Sequence, residues 1–159
     1  METSTPLIME KTSEKNTAAF THLSILSQYI IPFGNYIFPL IIWTSYKDKS
    51  EFTDHHGKQA LNFQLSLLLY TLILALIAIP IFVAVVLQNI PIEAFLYNEN
   101  FVIRNFNFEG NIGLLSVGIT AVVLFGLLKF VEFFLVIYAS IKASNGELYQ
   151  YPLTIPFIK

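Results

Sequence analysis

Two long apolar stretches restrict most strongly what this chain can fold into. They cover residues 59–87 and 112–141, and each is long enough for a helix that crosses a bilayer core about 30 Å thick. The composition agrees, since the 159 residues are 55% hydrophobic and 13% charged, with a mean hydropathy of +0.62. Soluble domains carry more charge, about 25%. The sequence therefore predicts an all-α integral membrane protein, a small helical bundle with two long transmembrane helices.

A third apolar region, residues 20–46, contains residues that break helices. Pro32, Gly34, Asn35 and Pro39 interrupt it, and Gly-Asn flanked by prolines is typical of a turn. Because prolines are tolerated in membrane helices, the region fits two structures. One is a single kinked span. The other is a hairpin of two short helices, about residues 22–31 and 36–46, that enters and leaves the membrane by the same face.

The lysine and arginine positions favour the hairpin, because basic residues in short loops lie mostly on the cytoplasmic side of a membrane. A hairpin places seven basic residues on one side and only Arg104 on the other, whereas a kinked span divides them five to three. The seven are Lys11, Lys15, Lys47, Lys49, Lys58, Lys142 and Lys159. We therefore expect both termini on the cytoplasmic side of a bacterial inner membrane.

The remaining segments complete the domain organisation. Residues 1–19 are polar and lack the basic start and adjoining apolar core of a secretory signal, so we expect a disordered tail there. Residues 20–159 then form one transmembrane domain. Within it, residues 88–111 are an insertion outside the membrane, patterned as a strand or as an extended segment at the headgroups. The aromatic residues of 142–159 suit a tail at the membrane interface.

Two charged residues, Lys129 and Glu132, lie inside the last apolar stretch. Charges are costly in hydrocarbon, so these residues are candidates for binding or partner contact. Their i,i+3 spacing puts them on one helix face, where they neutralise each other. Three roles remain open: a structural ion pair, a contact with a partner subunit or substrate, and a proton relay.

A polar stripe occupies the helix predicted over the first long apolar stretch and the residues before it. His55, Gln59, Asn62 and Ser66 follow helical spacing and share one face, which indicates a face turned toward protein. We expect these side chains to hydrogen-bond to a neighbouring helix. A path for a transported substrate or peptide is the alternative.

The histidines His22, His55 and His56 raise the question of a metal site. A metal needs three or four converging ligands, and adjacent His55 and His56 point to different sides of a helix. Cysteine is absent, which excludes disulfides, thiolate ligands and cysteine nucleophiles. We therefore expect no metal and no cofactor, and we interpret Asp54 as the N-cap of the following helix.

Three quoted stretches resemble a known family. They are "THLSILSQYIIPFGNYIFPLIIW", "FTDHHGKQALNFQLSLLLY" and "IYASIKASNGELYQYPLTIPFIK". They resemble the small bacterial Tic-twenty-like family, a domain of unknown function named for a distant similarity to a chloroplast inner-envelope protein-import component. The resemblance spans residues 20–159 and implies a helical integral membrane protein. Two features depart from it: Gln150 stands at a usually basic position, and residues 88–111 replace a usually short connection.

These features favour a non-enzymatic membrane subunit or scaffold, and the resemblance implies a role in protein transport or insertion. The expected partners are the lipid bilayer and a protein partner or further copies of the chain; without a basic stripe, nucleic acid is not expected. The alternative is a small-solute or ion carrier that acts as a homo-oligomer. An intramembrane metalloenzyme is a weaker third hypothesis, because the chain has no nucleophile motif and no Walker-type loop.

Overall fold

A computed structural model describes residues 5–89, 110 and 112–159. Along these residues the elements are helix α1 (Thr5–Leu23), a 3₁₀ segment (Ser24–Tyr29), α2 (Gly34–Tyr46), α3 (Glu51–Asn89) and α4 (Ile112–Ser144). The described part of the chain is helical and contains no strand, so the predicted all-α fold is confirmed. The strand or interfacial segment expected within residues 88–111 lies almost entirely outside the described residues.

Helices α3 and α4 are the two candidate membrane spans, over Glu51–Val85 and Leu115–Ser144. With 39 and 33 residues, they are about 58 and 50 Å long at a rise of 1.5 Å per residue. Both exceed a hydrocarbon core of about 30 Å. Of the most apolar 18 residues in each helix, only 6% and 11% are buried inside the protein. Most of these apolar side chains therefore face outward, as lipid contact requires.

The chain divides into two compact units, here called unit 1 (residues 1–68 and 129–159) and unit 2 (residues 69–128). Unit 2 consists, in its described part, of the second half of α3 and the first half of α4. Its surface is apolar, with Leu76, Phe82 and Val122 more than two-thirds exposed. An apolar groove of about 530 Å³ lies between the two helix segments of this unit.

Unit 1 contains a helical hairpin, one of the two structures expected for residues 20–46. The 3₁₀ segment and α2 pack against each other across a turn at residues 30–33, where Phe33 adopts the left-handed conformation with φ 62°. Gly34 permits the close packing, because a Cβ there would lie 2.5 Å from Ser27 Oγ. Pro32 therefore lies in the turn, as the sequence indicated, and Gly34 and Asn35 begin α2. Pro39, expected to interrupt the region, lies inside α2 without ending it.

Helix α1 forms where a disordered tail was expected over residues 1–19. Its described residues begin at Thr5, and Ala18 and Ala19 are buried against Ala143, with Phe52 packed beside them. The composition of the segment did not reveal this helix, because its buried contacts come from small alanines rather than from large apolar side chains.

Candidate functional site

The centre of unit 1 is a buried polar network around Glu132, here called the Glu132 network. The Glu132 side chain is fully buried, and each of its oxygens is hydrogen-bonded. Gln28 Nε2 and Gln64 Nε2 both donate to Oε1 at 2.9 Å, and Lys129 Nζ donates to Oε2 at 2.8 Å. A charged acceptor strengthens each of these bonds, and the three donors compensate a carboxylate that has lost its water.

Two further bonds extend the Glu132 network. Lys129 Nζ donates to Gln28 Oε1 at 2.9 Å, and Asn35 Nδ2 donates to Gln64 Oε1 at 2.6 Å. The network therefore connects the 3₁₀ segment, α2, α3 and α4. The sequence reasoning brought Lys129 and Glu132 together but missed Gln28, Asn35 and Gln64. The signal was present for Gln64, an amide inside an apolar stretch, where a polar side chain needs a partner.

The ion pair between Lys129 and Glu132 is asymmetric in its exposure. The Lys129 side chain is 35% exposed, whereas that of Glu132 is 0% exposed. An ammonium has three N–H donors, and the two bonds described above use two of them. The carboxylate is thus held inside the protein, while the Lys129 side chain is partly exposed at the surface of unit 1.

The polar stripe of α3 binds the C-terminal segment, defined here as residues 147–159. Each of the four predicted residues contacts a backbone atom of this segment. His55 Nε2 lies 3.2 Å from Tyr149 O, Gln59 Oε1 accepts from Tyr151 N at 3.3 Å, Ser66 Oγ accepts from Ile155 N at 2.8 Å, and Asn62 accepts from Ile158 N at 2.8 Å and donates to Ile158 O at 2.9 Å.

The expectation that this stripe contacts a neighbouring helix is therefore wrong. A helix satisfies most of its own backbone groups, whereas the C-terminal segment is not helical and needs other partners for its N–H and C=O groups. Gly146, with φ +81°, ends α4, and Pro152 and Pro156 prevent a new helix. The stripe supplies such partners along about 16 Å of α3, which is the rise from His55 to Ser66 at 1.5 Å per residue.

A second buried cluster joins His22, His56 and Tyr151, here called the His22–His56–Tyr151 chain. His22 Nε2 lies 2.8 Å from His56 Nδ1, and Tyr151 Oη lies 2.8 Å from His22 Nδ1. Both imidazoles are fully buried, and Tyr151 is 5% exposed. Phe63 stacks on the Tyr151 ring with the centroids 4.1 Å apart. The sequence indicated His22, but it assigned Tyr151 with the other aromatic residues of 142–159 to a tail at the membrane interface, whereas the structure buries Tyr151 against His22 and Phe63.

Burial keeps two members of this chain neutral. It lowers the pKa of His22 well below 6.5, and neighbouring His56 and His55 lower it further. Burial also raises the pKa of Tyr151 well above 10. His56 Nε2 is buried without a hydrogen-bond partner of good geometry among the described residues, although the Glu147 backbone lies near it.

The structure offers these histidines no metal geometry. Among the described residues, no three His, Cys, Asp or Glu side chains are grouped so that they could hold a metal ion. The facing nitrogens of His22 and His56 are at hydrogen-bond distance, which leaves no space for an ion between them.

The N-cap of α3 differs from the expected one. The helix begins at Glu51, and Ser50 Oγ accepts a long hydrogen bond from Thr53 N, 3.4 Å. Asp54 lies inside the first turn, where it accepts from Trp43 Nε1 at 2.8 Å and pairs with Lys58 at 2.6 Å. Asp54 therefore connects α2 to α3, and the capping role belongs to Ser50.

Comparison with models of protein families identifies a match over most of the chain. The model of the magnetosome magnetite crystal formation protein family (MamF/MmsF) matches residues 13–158. No curated protein and no solved structure matches the chain.

This match shows that the resemblance to the Tic-twenty-like family was wrong, and protein transport loses the support it drew from that resemblance. The quoted stretches consist of helix breaks, amides and aromatic residues that the fold uses to close unit 1. Such packing requirements do not by themselves distinguish one family of small membrane proteins from another.

Proposed function

This chain belongs to the magnetosome magnetite crystal formation protein family, and we propose that it serves crystal formation as a non-enzymatic membrane scaffold. The observation that carries the proposal is the use of its intramembrane polar groups. Gln28, Gln64 and Lys129 all donate to Glu132, and the stripe of α3 binds the chain's own C-terminal segment. These groups hold an architecture together.

The burial and the three hydrogen bonds of Glu132 support a structural role over a chemical one. A general base must offer a lone pair to a substrate proton at hydrogen-bond distance. Both oxygens of Glu132 instead accept from side chains of the same unit, and the carboxylate is fully buried. We therefore assign the Lys129–Glu132 pair to the stability of unit 1.

The apolar surfaces of α3 and α4 support a membrane scaffold with partners. The family and the two apolar helices indicate a membrane protein, and we propose the magnetosome membrane as its location. The bilayer covers part of the exposed surface of these helices. A second copy of the chain or another membrane protein covers the rest, since transmembrane helices associate by packing of their side chains.

Deletion and complementation in a magnetite-forming bacterium test this proposal. We expect deletion of the gene to change the number, size or shape of the crystals in electron micrographs, and the wild-type gene to restore them. Crystals unchanged by deletion would refute a role in crystal formation.

Purification of the tagged chain in mild detergent tests the scaffold role, because a scaffold retains stoichiometric copies or partners. A strictly monomeric protein without partners would contradict that role.

An ion carrier is the second candidate, and the exposure of Lys129 favours it. A lysine whose side chain is 35% exposed, paired with a buried carboxylate, resembles one station of a proton or cation path. Proteoliposomes containing the purified chain distinguish the two functions. A proton or ferrous-ion flux that Glu132→Gln abolishes would support the carrier, whereas the scaffold predicts the leak rate of protein-free liposomes.

A further inference from the structure

The His22–His56–Tyr151 chain connects three parts of the sequence that are far apart. His22 belongs to α1, His56 to α3 and Tyr151 to the C-terminal segment. Beyond the backbone contacts of the polar stripe, Tyr151 attaches the segment through its hydroxyl and through its stacking on Phe63. The state of these imidazoles therefore bears directly on how the segment is held.

The protons of the neutral chain can be assigned from its two hydrogen bonds. A neutral imidazole carries one N–H, and its other nitrogen accepts. Both hydrogen bonds can run in either direction, and the direction that leaves fewer groups unsatisfied has Tyr151 O–H donating to His22 Nδ1 and His22 Nε2–H donating to His56 Nδ1. The remaining proton is on His56 Nε2, the atom that lacks a partner of good geometry. This assignment makes both hydrogen bonds and leaves only the N–H of His56 Nε2 unsatisfied.

One additional proton disrupts this arrangement at Tyr151. If His22 gains it, both ring nitrogens become donors, and Nδ1–H then points at the hydroxyl oxygen of Tyr151. If His56 gains it, Nδ1–H must donate to His22 Nε2, which moves the His22 proton to Nδ1 with the same result. In either case the hydrogen bond to Tyr151 reverses, and its O–H loses the acceptor that it had.

The new charge also lacks a free counter-ion nearby. The titratable and charged groups around the chain are His55 on α3, Glu147 and Tyr149 in the C-terminal segment, and Glu132 on α4. Glu14 and Lys15 line a small cavity with Phe52, whose ring lies against His56. Glu132 is already paired with Lys129, and Glu147 with Lys142. A buried imidazolium would therefore remain uncompensated.

We propose that the His22–His56–Tyr151 chain is an acid-operated latch, which holds the C-terminal segment on α3 when neutral and releases it when the histidine pair gains a proton. The pKa of His22, lowered by burial, agrees with this direction. The released state binds protons more readily than the docked state. Docking is therefore strongest above pH 6.5 and weakens as the pH falls toward the lowered pKa of the docked histidine.

A spin label on the C-terminal segment measures the release. The chain has no native cysteine, so Leu153→Cys, at a position 79% exposed, gives a single attachment site. The full-length protein is labelled at neutral pH in detergent, and the mobility of the nitroxide is recorded from pH 8 to pH 4. As the pH falls, we expect the ratio of mobile to immobile label to rise by up to about tenfold for each unit by which the histidine pKa is higher in the released state than in the docked state. The ratio should return to its starting value when the sample is brought back to pH 8. A label at Leu124→Cys on α4 reports global unfolding and should not change.

Two variants and one matched control decide the assignment. The double variant His22→Gln/His56→Gln cannot titrate and should lose the acid response, while Thr44→Ala, at an exposed position of α2 whose hydroxyl bonds within its own helix, keeps it. If the double variant does not fold, Tyr151→Phe replaces it, because the ring still stacks on Phe63 without the hydroxyl. Its segment should already be more mobile at pH 8 and respond less to acid. Equal mobility at all pH values, or an undiminished acid response in these variants, would overturn the proposal.

Discussion

At the scale of single residues, Glu132 explains how two charges are accommodated in an apolar helix. Its i,i+3 neighbour Lys129 neutralises it, as the spacing predicts. The amides of Gln28 and Gln64 complete its hydrogen bonding, which the spacing does not reveal. A buried charge requires both a counter-ion and hydrogen bonds. The carboxylate is therefore tied directly to two elements beyond its own helix, the 3₁₀ segment and α3.

Replacement of the pair distinguishes these contributions. Lys129→Met leaves a buried carboxylate with only amide donors, and Glu132→Leu leaves the donors without an acceptor, so each should destabilise the protein by about 3 kcal/mol or more. Lys129→Met/Glu132→Gln keeps a neutral acceptor for Gln28 and Gln64 and should recover most of the loss. Thermal unfolding in detergent measures the differences.

The control for this series is Lys129→Met/Glu132→Leu. If the two charges only neutralised each other, this apolar double variant would recover as well as the glutamine variant. Because the amides of Gln28 and Gln64 then lack an acceptor, we expect it to remain less stable than the glutamine double variant by about 1–3 kcal/mol. Equal stability of the two double variants would show that the amides contribute little.

Gly57 and Gly126 form a matched pair for a second prediction. A Cβ at Gly57 would collide with the Trp43 ring, whereas a Cβ at Gly126 meets no atom within 4 Å. Gly57→Ala should therefore lower the melting temperature, at a cost of about 1–3 kcal/mol from overpacking. Gly126→Ala should be neutral or stabilising by up to about 1 kcal/mol through helix propensity. A harmless Gly57→Ala would mean that α2 and α3 separate easily at Trp43.

At the scale of elements, the C-terminal segment depends on α3 for its backbone hydrogen bonds. Asn62 both donates to and accepts from Ile158. Asn62→Ala should free this end of the segment and raise the hydrogen-exchange rate of the Ile158 amide about tenfold or more, because the loss of two hydrogen bonds costs about 1–3 kcal/mol. Thr120→Ala is the control, since that hydroxyl bonds only to its own helix backbone at Ser116 and is exposed. Protection of Ile158 that persists in Asn62→Ala would contradict this docking.

The sequence revealed elements whose signal is local and missed those whose partner is distant. The apolar runs predicted α3 and α4, and Pro32 and Gly34 predicted the break before α2. The spacing of His55, Gln59, Asn62 and Ser66 identified the correct face of α3, but spacing carries no information on what lies opposite. Helix α1 was missed because its buried residues are alanines whose partner, Ala143, is far along the chain.

At the scale of the whole molecule, a hairpin over residues 20–46 predicts the side of the membrane on which each segment lies. The 3₁₀ segment and α2 pack against each other, so the chain reverses direction between α1 and α2. If residues 20–46 enter and leave by one face, the seven basic residues outside the spans are separated from Arg104 alone. This division fits the preference of basic residues for the cytoplasmic side.

Single cysteines test this topology, because the chain contains none of its own. Under the hairpin arrangement, Ser4→Cys and Asp48→Cys should both react with a membrane-impermeant thiol reagent only from the cytoplasmic side, and Asn100→Cys only from the opposite side. A kinked span would instead place Ser4 and Asp48 on opposite sides, since a single crossing separates them. Labelling in intact cells, in inverted vesicles and after permeabilisation distinguishes the outcomes, and the permeabilised sample confirms that each thiol is reactive. Reaction of Ser4→Cys in intact cells, with Asp48→Cys protected, would refute the hairpin topology even if α1 and α2 remain packed together.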